Sequence, residues 1–317
     1  MTLDFLTENT PSYGIVEKIS PMVQRVVAKN PSKFTYFGTG TYIIGNPNGT
    51  DLAVIDPGPA DDDHLSALLT AIGNRTVSHI LITHTHSDHS PAAEDLKRIT
   101  SAPTYGFGPH PTLERKSKER GHDASLVLNE ESSFENQENE GDINFVPDLE
   151  LTDGDVLTGH GFTFEVLHTP GHISNHLCFA LEEESTLFTG DHVMGWSTTV
   201  IPAPDGNLSH YMKNLRRLLE RREKIFRPTH GPSIKNPIPF VKNLINHREN
   251  RTEQILAAIK KEPKTVGMLV TDLYSEIDKN LHKAAAGSVY AHLIDLARIG
   301  IVAAEPDIST DAEWKMA

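Results

Sequence analysis

The sequence predicts an α/β domain over residues 1–236, a connecting helix over 237–262 and a small α+β module over 263–317. Three observations lead there. Apolar segments of strand length alternate with stretches of helical periodicity as far as residue 236. Several of those strand-like segments run straight into turns built from His, Asp, Gly and Pro. From Pro237 the texture changes to a long amphipathic helix, two shorter helices and a closing pair of apolar runs.

The elements follow in order. Residues 19–27 and 34–44 alternate as paired strands, separated by the turn residues Asn30, Pro31 and Ser32. After the turn Asn46-Pro47-Asn48-Gly49, residues 52–55 form a buried strand that ends on Asp56. Asp56 is a candidate to orient a ligand imidazole, against the plainer reading of a turn-capping carboxylate. Asp61, Asp62 and Asp63 open a helix through Ile72, with Leu65, Leu68, Leu69 and Ile72 at helical spacing. Three acids at a helix start suit the dipole there without any ion. A strand over 79–83 leads into the turn Thr83-His84-Thr85-His86-Ser87-Asp88-His89, and Pro91 opens the next helix, to residue 100.

Residues 110–147 interrupt the pattern. From Glu130 to Asp142 there are six acids and no Lys or Arg, which reads as a loose charged insertion or a lid. The run from Arg115 to Arg120 before it is a weak basic candidate for an anionic substrate. Strands return over 162–167 and 176–181, with Asp153-Gly154-Asp155 as a turn and Glu182-Glu183-Glu184 as a hairpin tip. Another strand ends at Thr189-Gly190-Asp191. The loop beyond it offers Trp196, Ser197, Thr198 and Thr199 as candidate substrate contacts, with packing on the sheet as the alternative for Trp196. A helix over 208–222 turns Leu215, Leu218 and Leu219 inward, and residues 225–228 are strand-like before Thr229-His230-Gly231. In the tail, helices are expected over 240–259, over 265–273 with Thr265 as cap, and over 282–299, stopped by Gly300. Residues 301–305 read as a strand with Trp314 returning beside it.

The chemistry concentrates in the turn after residue 82. Imidazole and carboxylate are the ligands of a zinc-type ion, at about 2.0–2.2 Å. His84 and His86 are two apart and point the same way on an extended backbone. Asp88 and His89 follow on a tightening turn. Four donors are too many for one open catalytic site, which takes about three from protein, and they suit two ions about 3.5–4 Å apart. His172, Asp191 and His230 each lie just past a further apolar strand, next to Gly, which lets backbone approach closely.

The set His84, His86, Asp88, His89, His172, Asp191, His230 resembles that of the metallo-β-lactamase superfamily of dinuclear hydrolases. The resemblance implies a four-layer αββα sandwich and two divalent ions, zinc being the expected metal. It implies that His84, His86 and His172 hold the first ion, that Asp88, His89 and His230 hold the second, and that Asp191 bridges them. A hydroxide shared by the ions then attacks an ester or thioester, with Asp88 as the catalytic residue that orients it. His176 and His192 are candidates to support the ligands. The segments Thr189–Val193, Ser197–Val200, Pro228–Pro232, the His247-Arg248 helix and the tail extend the resemblance to the LACTB2-like group, whose tail is a winged helix. One side of that group resembles acyl-thioester hydrolases and another single-strand RNA endonucleases. Lactam or lactone hydrolysis is a further, lesser alternative.

Composition weighs between these. The chain has 317 residues and a net charge of −14, so it gains no long-range attraction to a phosphate backbone. That favours a small-molecule or acyl substrate and disfavours, without excluding, nucleic acid. The candidate reading helix carries a single Lys between residues 281 and 292, so the expected role of the tail is packing or covering a pocket. The one cysteine, Cys178, allows no intrachain disulfide and reads as a core residue. The first residues have no basic start and no long apolar run, and no membrane span is expected anywhere. A cytoplasmic location is the expectation.

Overall fold

The computed structural model describes residues 4–111, 141–276 and 282–317. The Arg115–Arg120 run and the acidic stretch as far as residue 140 lie outside them. Two mixed sheets face each other. The first runs β1 (Glu17–Lys18), β2 (Val23–Val27), β3 (Gly40–Ile44), β4 (Asp51–Ile55), β5 (Thr76–Leu81), β6 (Thr104–Gly106) and β7 (Leu149–Glu150), side by side in chain order. The second contains β8 (Val156–Gly159), β9 (Phe162–His168), β10 (Leu177–Leu181), β11 (Thr186–Gly190) and β12 (Ile225–Pro228), again in chain order from one edge. Hairpins make most of the ladders antiparallel, but β4–β5–β6–β7 and β11–β12 pair in parallel through crossovers.

The period-2 pattern of the strands fills three cores. Ala53 and Ile55 of β4 meet Phe162, Phe164 and Val166 of β9 between the sheets. Leu52 and Val54, one residue out of step, face helices α1 (Asp62–Ile72) and α2 (Ala92–Thr100) through Leu68, Ile72 and Leu96. On the far side, Leu167, Cys178, Leu187 and Phe226 bury against α3 (Leu208–Leu218) and the start of α4 (Pro237–Ile259). The result is the expected αββα sandwich. Cys178 is fully buried, as a core residue should be.

Helix α4 leaves this sandwich at Ile245 and enters a second core at Ile255. There it packs with α5 (Val266–Leu273), α6 (His282–Arg298) and the hairpin β13 (Val302–Glu305) and β14 (Glu313–Met316). Thr265 caps α5 by accepting from the Met268 N–H, and Trp314 pairs with Ala304 and is fully buried. Among the described residues no helix is long and apolar enough to cross a membrane.

Several boundaries differ from expectation. The strand expected over 34–44 begins only at Gly40, because residues 28–39 form a folded loop. Gly38 makes that loop: its φ is +135°, and a Cβ there would lie 2.0 Å from the Ala28 carbonyl oxygen. The strand expected over 19–27 is broken by a turn and resumes at Val23, while helix α3 stops at Leu218 rather than at residue 222. The strand before the His turn spans Thr76–Leu81, not 79–83, because Thr83 is drawn onto Asp56. The end of the expected loose insertion is ordered too. Gly141 bridges to His86, the Asp142 N–H donates to the Thr85 carbonyl at 2.8 Å, and Phe145 is buried.

Candidate metal centre

Five strand ends share one rim: Asp56 follows β4, the His turn follows β5, His172 follows β9, Asp191 follows β11 and His230 follows β12. This is the carboxyl edge at which α/β sheets gather ligands. Side chains from both sheets converge there. His84, His86 and His172 bring one ring nitrogen each to within 4.8 Å of the others; so do the donors of His84, His89 and Asp191, and of Asp88, His89 and His230. All seven residues singled out from the sequence are therefore brought together. Six are buried, while the Asp88 side chain is 24% exposed and stands at the mouth.

Hydrogen bonding fixes which nitrogen each ring presents. The Asp56 carboxylate accepts from the Thr83 N–H (2.8 Å), the Thr83 hydroxyl (2.7 Å), the Thr229 hydroxyl (2.8 Å) and His89 Nδ1 (2.9 Å). With its proton on Nδ1, His89 turns the Nε2 lone pair to the centre, where that atom has no partner. Thr83 gives its own hydroxyl proton to Asp56, so its oxygen accepts from His84 Nδ1 at 3.1 Å. His172 Nδ1 donates to the Val200 carbonyl at 2.6 Å and His230 Nδ1 to the Gly38 carbonyl at 3.2 Å. Four imidazoles thus aim Nε2 lone pairs inward.

These lone pairs cannot satisfy one another. His86 Nδ1 lies 2.9 Å from His84 Nε2 and 3.0 Å from His172 Nε2 and has at most one proton to share between them. His230 Nε2 lies 3.0 Å from Asp88 Oδ2 and 3.5 Å from Asp191 Oδ1, and His89 Nε2 lies 3.4 Å from Asp88 and 3.7 Å from Asp191. Asp191 Oδ1 is buried without a hydrogen-bond partner. Ligands about 2.0–2.2 Å from one tetrahedral ion stand roughly 3.4 Å apart. The donor set and its spacing fit divalent cations, and the residues offer no other source of positive charge than protons.

The electrostatics agree. Burial, reinforced at His84 by the neighbouring imidazoles, holds His84 and His86 well below the usual histidine range and lowers His172. These rings stay neutral, as ligands must. Burial opposes the charged form of His89 and His230 as well, but Asp88 and Asp191 overcome it and raise both. In return, despite burial, His89 and His230 hold the Asp88 and Asp191 carboxyls well below the usual carboxylate range.

The remaining candidates divide. Asp56 accepts from His89 Nδ1 and so sets the orientation of that ring. His176 accepts from the Asp191 N–H at 3.1 Å through Nε2 and meets the Thr169 hydroxyl at 2.8 Å through Nδ1, so it fixes Asp191. Gly190, at φ +50°, makes room for it, since a Cβ would stand 2.6 Å from His176 Nε2. His192 is buried between Tyr211 (ring centroids 4.9 Å) and His176 (6.0 Å) with neither ring nitrogen hydrogen-bonded. Trp196 stacks on Tyr36 (5.0 Å) next to Gly231. Ser197 and Thr198 are half-buried, whereas Thr199 is buried with its hydroxyl on the Asp191 and His192 carbonyls, which takes it out of reach of a substrate. Sequence reasoning missed the threonines. Thr83 and Thr229 serve Asp56, while Thr85 meets His110 Nδ1 and accepts from Asn175 Nδ2, both at 2.8 Å. The signal was there: Thr precedes His at 83–84, 85–86 and 229–230.

Comparison with known proteins places this geometry. The family model described as the metallo-beta-lactamase superfamily matches residues 36–230, and that of the beta-lactamase associated winged helix domain matches residues 265–314. An atrochrysone carboxyl ACP thioesterase of Claviceps purpurea is 32% identical over 278 residues, covering 85% of this chain and 77% of that protein. A lactamase-like protein of Pestalotiopsis fici is 30% identical over 294 residues, covering 89% and 82%. Among solved structures, a beta-lactamase domain protein from Burkholderia ambifaria superposes with a TM-score of 0.75 at 18% identity, over 98% of this chain and 96% of the other. A metallo-beta-lactamase family protein from Thermus thermophilus gives 0.70 at 21% identity, over 95% and 100%. With fold, donor set and relatives in agreement, the chain belongs to the metallo-beta-lactamase superfamily of hydrolases and carries the beta-lactamase associated winged helix domain at its C-terminal end.

Proposed function

We propose that this hydrolase cleaves an acyl thioester, with an acyl group carried on an acyl carrier protein as the natural form of the substrate. The observation that carries the reading is the convergence of five imidazoles and two carboxylates on one rim, joined to relatives named as carrier-protein thioesterases that cover most of the chain. His84, His86 and His172 would hold one ion, Asp88, His89 and His230 the other, and Asp191 would serve both. Zinc suits this nitrogen and oxygen set. When bound, the ions supply Lewis acidity and activation of water at neutral pH.

The chain's own residues do the rest. Asp56, His176 and the Val200 and Gly38 carbonyls hold the ligand side chains in one orientation before substrate arrives. Asp88, the most open of the seven, is the carboxylate that can take a proton and pass it to the departing sulfur. Water adds to the carbonyl carbon, the C–S bond breaks, and a carboxylic acid and a thiol leave. The net charge of −14 and the inward packing of α6 weigh against the alternative of a single-strand RNA endonuclease.

The test is a panel of an acyl-thioester, a lactone, a lactam and labelled single-strand RNA with zinc-loaded protein. Free thiol released by wild type and lost in His84→Ala is the expected result. Cleaved RNA beside intact thioester would replace the proposal with the nuclease.

A further inference from the structure

Arg248 lies in the middle of α4 and is only 4% exposed. Among the described residues no carboxylate stands within ion-pair distance of it. A guanidinium buried without an anion is costly unless its hydrogen bonds are well placed. Burial accordingly disfavours its charged form. What it does have is a fork of two bonds to different parts of the molecule. Nη2 donates to the Thr199 carbonyl and Nη1 to the Ser288 hydroxyl, at 3.2 Å, while the group sits over the Tyr211 ring at 5.6 Å.

Thr199 is the junction. Its hydroxyl donates to the Asp191 carbonyl at 2.8 Å and to the His192 carbonyl at 3.1 Å. The next carbonyl, that of Val200, receives His172 Nδ1. One cation on α4 therefore grips the loop 191–200 at the point from which Asp191 and His172 are both held, and Ser288 of α6 anchors the other arm of that cation. We propose that Arg248 is a positioning residue for the metal centre, and that the C-terminal module completes this centre by lending Ser288 as its second anchor. The inference rests on the reading of His172 and Asp191 as ligands.

Arginine suits the task because a planar fork can reach two acceptors at once, whereas a lysine ammonium on a flexible stem offers a single point. Arg248 also lines a crevice of about 400 Å³ with Leu208, Met212, Thr252 and Asp295. Truncating it opens that crevice to the back of the loop, where a small cation can enter.

The experiment compares wild type, R248A, R248K and S288A in the full chain. Zinc affinity is read by competition with a chromophoric chelator, and kcat and KM on an acyl-thioester. R248A is expected to bind zinc about 10–100-fold more weakly, the range seen when a group supporting a metal ligand is removed. Its kcat falls by a similar factor while KM moves little. Guanidinium at a non-denaturing concentration restores both in R248A, and sodium at equal ionic strength does not. R248K falls between, and S288A loses least. Should R248A fail to fold, R248K decides: wild-type zinc affinity there overturns the proposal. A defect in R248A that guanidinium leaves untouched and that parallels a drop in unfolding temperature overturns it as well. Wild type that binds no zinc overturns the ligand reading together with this one; zinc-binding wild type with indifferent variants overturns this one alone.

Discussion

Replacing Asp56 by Asn tests how the centre is oriented, with almost no change of shape. Asp56 already has a left-handed backbone, φ +50°, which Asn tolerates as well, so the fold is not the variable. The carboxylate receives four donors, and an amide has one oxygen. The buried Thr83 N–H must keep an acceptor, since orphaning it costs about 1–3 kcal/mol. The amide oxygen therefore stays on the Thr83 side and the NH₂ group faces the Thr83 hydroxyl, the Thr229 hydroxyl and His89 Nδ1. Both hydroxyls can turn round to accept. His89 can accept only by moving its proton to Nε2, which removes the lone pair offered to the ion. Loss of such a supporting partner weakens metal binding about 10–100-fold, or about 1.4–2.8 kcal/mol. A two-site zinc competition titration should show the tighter or the weaker step displaced by that factor, with the other step less affected. The metal-free protein should also lose about 1–3 kcal/mol in urea unfolding, from the lost charged hydrogen bond. Two zinc steps identical to those of wild type would refute the tautomer argument.

Further outcomes follow from the same structure. Because Asp88 and Asp191 raise His89 and His230 above the ordinary histidine value of 6.5, these two rings hold a second proton to higher pH in the metal-free protein than a free imidazole does. Zinc binding should release those protons, and affinity should climb as pH rises through the raised values; calorimetric titrations in buffers of different ionisation enthalpy read this directly, and a buffer-independent heat would contradict it. His64 is 3% exposed, bonds Thr41 at 2.9 Å, and is pushed down by burial to about 4. Below pH 6.5 the unfolded chain takes up this proton first, so stability falls by up to about 3 kcal/mol as pH drops to about 4. His64→Gln should flatten that loss in urea unfolding at acid pH, and an unchanged slope would contradict it. Trp314 is fully buried between β13, α6 and Tyr290, so Trp314→Ala should cost about 3–5 kcal/mol, seen as earlier unfolding of the C-terminal module.

The candidate donors were legible because they sit in the turns that follow β5, β9, β11 and β12, turns punctuated by Gly or Pro, where a polar side chain has no core to join. The sandwich was legible for the same reason: Ala53 and Ile55 alternate with Leu52 and Val54, and both sets are apolar because both faces are covered. The loop 28–39 was misread because its punctuation is tertiary. The Asn30 side chain accepts from the Thr39 N–H and donates to its hydroxyl, and Gly38 lets the chain pass Ala28. The clasp of Gly141 and Asp142 over the His turn was hidden inside an acidic run, where composition argues for solvent; the Ser90 hydroxyl on Asp142 at 2.8 Å gives that carboxylate its reason to turn inward. Arg248 was invisible as a bond-maker, since one buried Arg on an amphipathic helix looks the same in sequence as one that snorkels to water.

The most direct measurement is the metal content of purified protein after dialysis, by elemental analysis, for wild type and for His84→Ala and His230→Ala. The account predicts close to two divalent ions per chain in wild type and close to one in each variant, because each substitution removes a donor from a different ion. Wild type with only trace metal after zinc loading, or variants that retain its full complement, would contradict it.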